Sequence, residues 1–133
     1  EQAGAFRDRF AHPMPRLDEA RWLVERGASA GIDISDGLIA DLRHLAAASG
    51  VVIDVDDNRV PRVDGVDVSL AMHGGDEYEL VVASPGEIDC AEFERRFGVR
   101  LSEIGRVVDA SGSDVTVRGA RVAYAAGYDH FSR

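Results

Sequence analysis

The chain has 133 residues, 45% of them hydrophobic, and carries a formal net charge of −9 from 24 acidic and 15 basic side chains. This length fits one globular domain, and the apolar fraction argues against wholesale disorder. All 15 basic residues are arginine, so the sequence excludes a P-loop lysine, a Schiff-base lysine and a kinase-type lysine that binds phosphates. The acidic balance disfavours nucleic acid and anionic membranes as partners. A phosphate-handling protein of this composition must use metal ions, backbone amides or arginine.

The cysteine content and the apolar runs indicate the compartment. Cys90 is the single cysteine, so no intrachain disulfide can form, which is typical of a reducing cytosol. No stretch approaches the roughly 20 apolar residues that a membrane helix needs, and no signal peptide is visible. We therefore expect a cytoplasmic protein without membrane or nucleic-acid partners. The chain begins at Glu1 without an initiator methionine, and we expect it to be part of a longer product.

The hydrophobic pattern predicts helices and strands that alternate along the chain. After an N-terminal segment over residues 1–16, helices are predicted over 16–26, 37–49, 66–72 and 88–97, where apolar residues recur at helical spacing. Strands are predicted over 28–34, 51–55, 77–83 and 101–108. A hairpin is predicted to join 115–117 to 121–124. This order predicts an α+β fold in which helices pack on one mixed sheet.

Two carboxylates and a hydroxyl lie where the strand over 28–34 gives way to a helix. Asp33 and Asp36 are three residues apart across the turn, close enough to share a cation, and Mg²⁺ prefers such oxygen ligands. Ser35 lies between them, and Gly37 removes side-chain bulk where a ligand would approach the backbone. The helix N-terminus beyond offers unpaired amides suited to a phosphate. This pattern is compatible with a magnesium and phosphate site.

A structural interpretation of the same residues is equally consistent with the local sequence. Ser35 or Asp36 can act as the N-cap of the following helix, which contributes about 1 kcal/mol. Asp33 can be a strand-end carboxylate that faces water. Local chemistry alone leaves both interpretations open and favours the cap.

Three separated motifs resemble those of the thiamine-monophosphate kinase family. Residues 32–38 read Ile-Asp-Ile-Ser-Asp-Gly-Leu, residues 74–80 read Gly-Gly-Asp-Glu-Tyr-Glu-Leu, and residues 127–131 read Gly-Tyr-Asp-His-Phe. The N-terminal segment, with Pro13, Pro15 and Arg16, resembles the family's interdomain stretch. The three motifs occur in the family's order and spacing, and the resemblance spans nearly the whole chain.

The resemblance implies a fold, an activity and a domain arrangement. The family belongs to the aminoimidazole-ribonucleotide-synthetase-like superfamily, whose C-terminal domain has α/β/α layers. Its members use ATP and Mg²⁺ to convert thiamine phosphate to thiamine diphosphate, have two domains and form a homodimer. Residues 1–16 would then be the interdomain segment and residues 17–133 the C-terminal, substrate-side domain. The N-terminal ATP-binding domain is missing from this chain, so we expect the chain alone to be inactive.

The resemblance also implies roles for five residues. Asp33 and Asp36 match magnesium ligands, and Ser35 matches a nucleotide contact. Asp76 stands where the family has a glutamate that contacts the substrate, because this chain has Asp-Glu in place of the family's Glu-Asp. Tyr128 matches an aromatic residue near the substrate's cationic ring, where a cation–π contact is plausible. The structural alternatives are a simple turn at Gly74-Gly75 and a C-terminus packed on the core through Tyr128.

Other polar and aromatic residues are interpreted as structural. His44 is expected on the surface, Trp22 in the core, and Cys90 without chemistry. The run Asp54, Asp56 and Asp57 offers oxygen ligands but is better explained as a solvated turn. An alternative function remains: a stand-alone, non-catalytic binding or regulatory module of the same superfamily, for which the inverted pair at Asp76 is a supporting observation.

Overall fold

A computed structural model describes residues 14–74, 78–109 and 111–122 of the chain. The helices are α1 (Leu17–Glu25), α2 (Leu38–Ser49), α3 (Val68–His73) and α4 (Cys90–Phe97). The strands are β1 (Ala30–Asp33), β2 (Val52–Val55), β3 (Leu80–Ala83), β4 (Gly105–Asp109), β5 (Asp114–Val117) and β6 (Ala120–Arg121). The predicted elements therefore occur in the predicted order. Within these residues, no helix is both long enough and apolar enough to cross a membrane.

The strands form two sheets in the part of the chain that the structure describes. Four strands pair in the order β4-β2-β5-β6, with β2 parallel to β5 and antiparallel to β4. This sheet is mixed, and the α+β class is confirmed. Among the described residues, the remaining two strands pair only with each other: β1 and β3 form an antiparallel ribbon, with Asp33 opposite Leu80. Hydrophobic periodicity identifies strands but not their partners, so the sequence did not predict this separate ribbon.

The larger hydrophobic cluster joins α2 to the four-stranded sheet and to the ribbon. Buried residues of α2 recur at helical spacing, and they pack against Ile53 and Val55 of β2 and Val115 of β5. Val81 of β3 belongs to the same cluster. The buried α2 residues are Leu38, Ile39, Leu42 and Ala46. Burial of this face holds the first turn of α2 against the end of β1.

A smaller aromatic cluster joins α1 to α4. Trp22 is 4% exposed, and its ring meets those of Phe93 and Phe97 edge-on, at centroid distances of 5.6 Å and 6.1 Å. The guanidinium of Arg26 lies 3.7 Å from the centroid of the Trp22 ring. The prediction that Trp22 belongs to the core is confirmed.

The β1–β3 ribbon lies between these two clusters. Consecutive side chains of a strand point to opposite faces. Val81 accordingly packs in the larger cluster, and Val82 packs against the smaller one. The ribbon therefore has apolar neighbours on both faces, and the end of β1 delivers Asp33 to the start of α2.

Candidate functional site

The turn between β1 and α2 places the three sequence-predicted residues of the first motif. Asp33 is exposed at the last position of β1, and Ser35 and Asp36 are partly buried in the turn that follows. The N-cap of α2 is Gly37, and no side chain caps the helix there. The alternative interpretation of Ser35 or Asp36 as the N-cap is therefore wrong.

A buried carboxylate on α2, which sequence reasoning missed, organises this turn. Asp41 is 2% exposed, and its Oδ2 atom accepts hydrogen bonds from the backbone amides of Ser35, at 2.8 Å, and Asp36, at 3.0 Å. These two amides are therefore not available to a phosphate. The signal in the sequence was position: Asp41 follows Leu38 by three residues, which places an acid on the apolar face of the helix.

Gly37 brings the second motif against the first. Its φ is 114°, and a β-carbon at this position would lie 2.8 Å from the carbonyl oxygen of His73, at the end of α3. We expected Gly37 to make room for a ligand, and the structure shows the backbone of His73 in that space. Gly74, the first residue of the second motif, comes directly after His73. Residues 32–38 and 74–80 therefore meet although they are far apart in the chain.

Backbone hydrogen bonds join the same two motifs a second time. The Ile34 amide donates to the Glu79 carbonyl at 2.8 Å, and the Tyr78 amide donates to the Ile34 carbonyl at 2.9 Å. These bonds extend the pairing of β1 with β3 by one residue, to Ile34, which lies between Asp33 and Ser35. Asp76 and Tyr128, the two predicted substrate contacts, lie outside the described residues. Asp76 is two positions before Tyr78.

An arginine ties the start of α1 to this edge of the ribbon. Arg16 donates from Nε to Glu79 Oε2 at 3.0 Å and from its terminal nitrogen to Oε1 at 2.8 Å, in the paired geometry that makes guanidinium–carboxylate contacts strong. This hydrogen bonding raises the pKa of Arg16 above its ordinary value, against the lowering effect of its partial burial. Arg16 is therefore a charged anchor between the N-terminal segment and the second motif.

The side chains at the junction offer oxygen ligands for a hard cation. Ligand atoms of Asp36, Asp41 and His44 lie within 4.8 Å of one another, and they are the one such group in the described ranges. Asp33 is not part of this group. The Asp36 carboxylate suits Mg²⁺, whereas an imidazole is a poor ligand for that ion. His44 is exposed, which agrees with the expectation of a structural or surface histidine. The donor set fits a magnesium ion bound through carboxylates.

Two open cavities differ in their relation to this site. One of about 340 Å³ lies beside the junction, between α3 and the β5–β6 hairpin, with Ile39, His73 and Val122 in its lining. A larger one of about 480 Å³ is lined by residues 58–62 and 100–103. Neither lining includes a residue of the two motifs, but Ile39 and His73 of the smaller cavity are the immediate chain neighbours of the motifs. We therefore consider the smaller cavity the better candidate for a substrate.

The acidic residues at the end of β2 and just after it have local partners. Asp54 Oδ1 accepts from the Thr116 hydroxyl at 2.6 Å and from the Gly119 amide at 2.7 Å, and these bonds lower the pKa of Asp54. Asp57 pairs with Arg118 at 2.9 Å, and Asp56 accepts from the amide two residues further on. These contacts give the three carboxylates structural partners, although the prediction of a solvated turn fits only Asp56 and Asp57, because Asp54 belongs to β2.

Comparison with known proteins gives consistent relatives. A thiamine-monophosphate kinase of Caulobacter vibrioides is 36% identical over 134 residues, which cover 90% of this chain and 38% of that protein. The crystal structure of thiamine-monophosphate kinase from Stenotrophomonas maltophilia matches with a TM-score of 0.76 and 34% identity, over 89% of this chain and 40% of that one. The structure of AaThiL complexed with AMPPCP and TMP matches with a TM-score of 0.75 and 32% identity, over 96% of this chain and 41% of that one.

The family model confirms the superfamily assignment. Residues 7–118 match the model of the AIR synthase related protein, C-terminal domain. The chain belongs to this family, and it spans about two fifths of the length of the curated relatives and solved structures described above. The resemblance to thiamine-monophosphate kinases, stated from three motifs, is confirmed.

Proposed function

We propose that the chain is the C-terminal, substrate-side domain of a thiamine-monophosphate kinase, which uses ATP and Mg²⁺ to phosphorylate thiamine phosphate to thiamine diphosphate. The observation that carries this proposal is the backbone pairing of the two motifs, in which Asp33 lies opposite Leu80 and Ile34 exchanges hydrogen bonds with Tyr78 and Glu79. This pairing supports a site in which the proposed metal ligands lie near the second motif. A solved relative binds AMPPCP and TMP, which supports the choice of ligands.

The proposed roles follow from the chemistry of each side chain. Asp33 and Asp36 hold the metal through carboxylate oxygens, and Ser35 contacts the nucleotide. Asp76 and Tyr128 bind thiamine phosphate through a carboxylate and an aromatic face. Mg²⁺ would neutralise charge on the transferred phosphoryl group. The acceptor oxygen is already ionised, so these residues position the reactants and no strong general base is required. Acidic side chains that bind the metal take the place of the absent lysine.

The domain arrangement is part of the proposal. Residues 1–16 link to an N-terminal domain that contributes the rest of the ATP and metal site, and residues 17–133 form the domain described here. The chain covers only 38–41% of its relatives, which supports a second domain elsewhere in the protein. We propose a homodimeric, cytoplasmic enzyme and no activity for the 133 residues alone. Formation of thiamine diphosphate by this chain alone would contradict that arrangement.

Substitution of Asp33 in the two-domain kinase tests the function. We expect Asp33→Asn to lower turnover of thiamine phosphate by at least about 100-fold, because loss of an outer-shell partner alone costs 10–100-fold. Asp18→Asn is the matched control, since Asp18 is an exposed acid of α1 whose one ion pair is with its helical neighbour Arg21. Turnover by Asp33→Asn equal to that of Asp18→Asn would refute the metal assignment.

A stand-alone binding module is the second candidate, favoured by the inverted Asp76-Glu77 pair. A shorter carboxylate at the substrate position changes its reach by one methylene while it keeps the charge. Calorimetry with thiamine phosphate, with and without Mg²⁺, separates the two functions. Tight binding by the chain alone, together with no turnover after the missing domain is restored, would favour the module.

A further inference from the structure

We propose that Asp41 is a positioning residue of the metal site. Its buried carboxylate holds the backbone of Ser35 and Asp36 so that the Asp36 side chain is presented to Mg²⁺. The proposal rests on the proposed function, which assigns Asp36 as a ligand. Asp41 lies outside the three motifs, and the resemblance to the kinase family assigned it no role.

The hydrogen-bond geometry is the first support. One oxygen of Asp41 accepts from two consecutive amides, at 2.8 Å and 3.0 Å. Bonds from backbone amides to a charged acceptor are among the stronger ones in proteins. Because both amides belong to the turn that ends in Asp36, Asp41 restrains the direction in which the Asp36 side chain leaves the backbone.

The second support is the free-energy cost of burying the Asp41 carboxylate. Asp41 is 2% exposed and lies on the face of α2 that otherwise carries Leu38 and Leu42. A buried carboxylate is unfavourable unless it is hydrogen-bonded, and an apolar residue would satisfy the packing at this position without that cost. No ion pair to Asp41 occurs in the ranges that the structure describes. The hydrogen bonds from its two amide partners therefore offset the cost of burying this carboxylate.

The lack of any other side-chain hydrogen bond to these two amides in the described ranges is the third support. Gly37 caps α2 without a side-chain hydrogen bond. Across the described ranges, Asp41 is the one side chain that bonds the Ser35 and Asp36 amides. Its ligand oxygen also lies within 4.8 Å of that of Asp36. Two carboxylates this close repel each other, and a bound cation between or beside them relieves the repulsion.

Binding of Mn²⁺, an ion detected by electron paramagnetic resonance, tests the proposal on the full 133-residue chain. We expect Asp41→Ala to weaken Mn²⁺ binding by about 10–100-fold, the usual effect of losing an outer-shell partner. Asp41→Asn keeps an oxygen that can accept from both amides, and we expect it to restore affinity to within about fivefold of the unsubstituted chain. If Asp41 were itself a ligand, the asparagine variant would lose as much affinity as the alanine variant, which would overturn the positioning role.

A matched control and a metal-free measurement separate positioning from general stability. Asp54→Asn removes the charge from another carboxylate that accepts two hydrogen bonds, far from the junction in the sequence, and should leave Mn²⁺ affinity unchanged. Without metal, amide hydrogen exchange at Ser35 and Asp36 should accelerate in Asp41→Ala and stay slow in Asp41→Asn. If the alanine variant does not fold, Asp41→Leu, which replaces the packing but not the acceptor, takes its place.

The outcomes distinguish this proposal from the proposed function. Equal Mn²⁺ affinity with and without the Asp41 carboxylate overturns the positioning role. If the chain alone binds no Mn²⁺, equal exchange rates of the Ser35 and Asp36 amides in Asp41→Ala and Asp41→Asn overturn it. The expected affinity pattern combined with no phosphorylation of thiamine phosphate by the two-domain protein leaves the positioning role standing and overturns the kinase function.

Discussion

Gly37→Ala should be among the most damaging single-methyl changes in the chain, for two separate reasons. The backbone at Gly37 has φ 114° and ψ 150°, a conformation that is essentially restricted to glycine and costs other residues about 1–3 kcal/mol. The new methyl group would lie 2.8 Å from the His73 carbonyl oxygen and 3.0 Å from its carbon. These are backbone atoms that no side-chain rotation can move, so overpacking adds about 1–3 kcal/mol. Together the two effects predict a loss of about 4 kcal/mol.

Gly50→Ala carries a conformational penalty without a steric one, so the difference between the two variants isolates the second effect. Gly50 ends α2 with φ 65° and ψ 40°, and a methyl group there would meet no atom within 4 Å. Only the left-handed conformation is then penalised, by about 1–2 kcal/mol. Urea denaturation followed by circular dichroism gives the free energy of unfolding of both variants. We expect Gly37→Ala to lose about 2–3 kcal/mol more than Gly50→Ala. Losses that agree within about 0.5 kcal/mol would refute the contact between Gly37 and His73 as an energetic constraint.

Two further predictions concern the smaller cluster and the acidic turn. Trp22→Ala should lower the free energy of unfolding by about 3–5 kcal/mol, measured by urea denaturation, whereas the exposed Leu17→Ala on the same helix should change it by less than about 0.5 kcal/mol. For Asp54, hydrogen bonds from Thr116 and then Gly119 lower the folded-state pKa. Its stabilisation is therefore complete above the unfolded-state value of about 4 and is lost as the pH falls through the lower, folded-state pKa. The difference in unfolding free energy between the unsubstituted chain and Asp54→Asn should shrink below about pH 4, and a constant difference would contradict the pKa direction.

The sequence predicted the elements well because local physics determines them. Apolar residues at helical spacing identified α2, and β-branched runs identified β2 and β3. Asp33, Ser35 and Asp36 were singled out because two carboxylates and a hydroxyl lie at a strand-to-helix junction, and the resemblance to the kinase family supplied their proposed roles. Their placement at one turn agrees with the expectation, and their roles remain proposals.

The parts that the sequence did not predict depend on contacts between distant segments. The pairing of β1 with β3 and the approach of His73 to Gly37 join residues more than 30 positions apart, and no periodicity encodes such a choice. Asp41 was missed for a related reason. Its carboxylate acts on amides five and six residues earlier, and this is possible only because the turn folds back over the first turn of α2.

The β1–β3 ribbon lies between the two hydrophobic clusters, and it therefore couples the candidate site to the single tryptophan of the chain. The chain has one tryptophan, and it lies in the smaller cluster. Neighbouring residues of one strand, Val81 and Val82, serve different clusters, so the smaller cluster cannot separate without loosening the strands that position Asp33. Emission from Trp22 therefore reports on the integrity of the turn over residues 33–37, which Trp22 does not itself form. We expect this turn and the smaller cluster to unfold in one cooperative event.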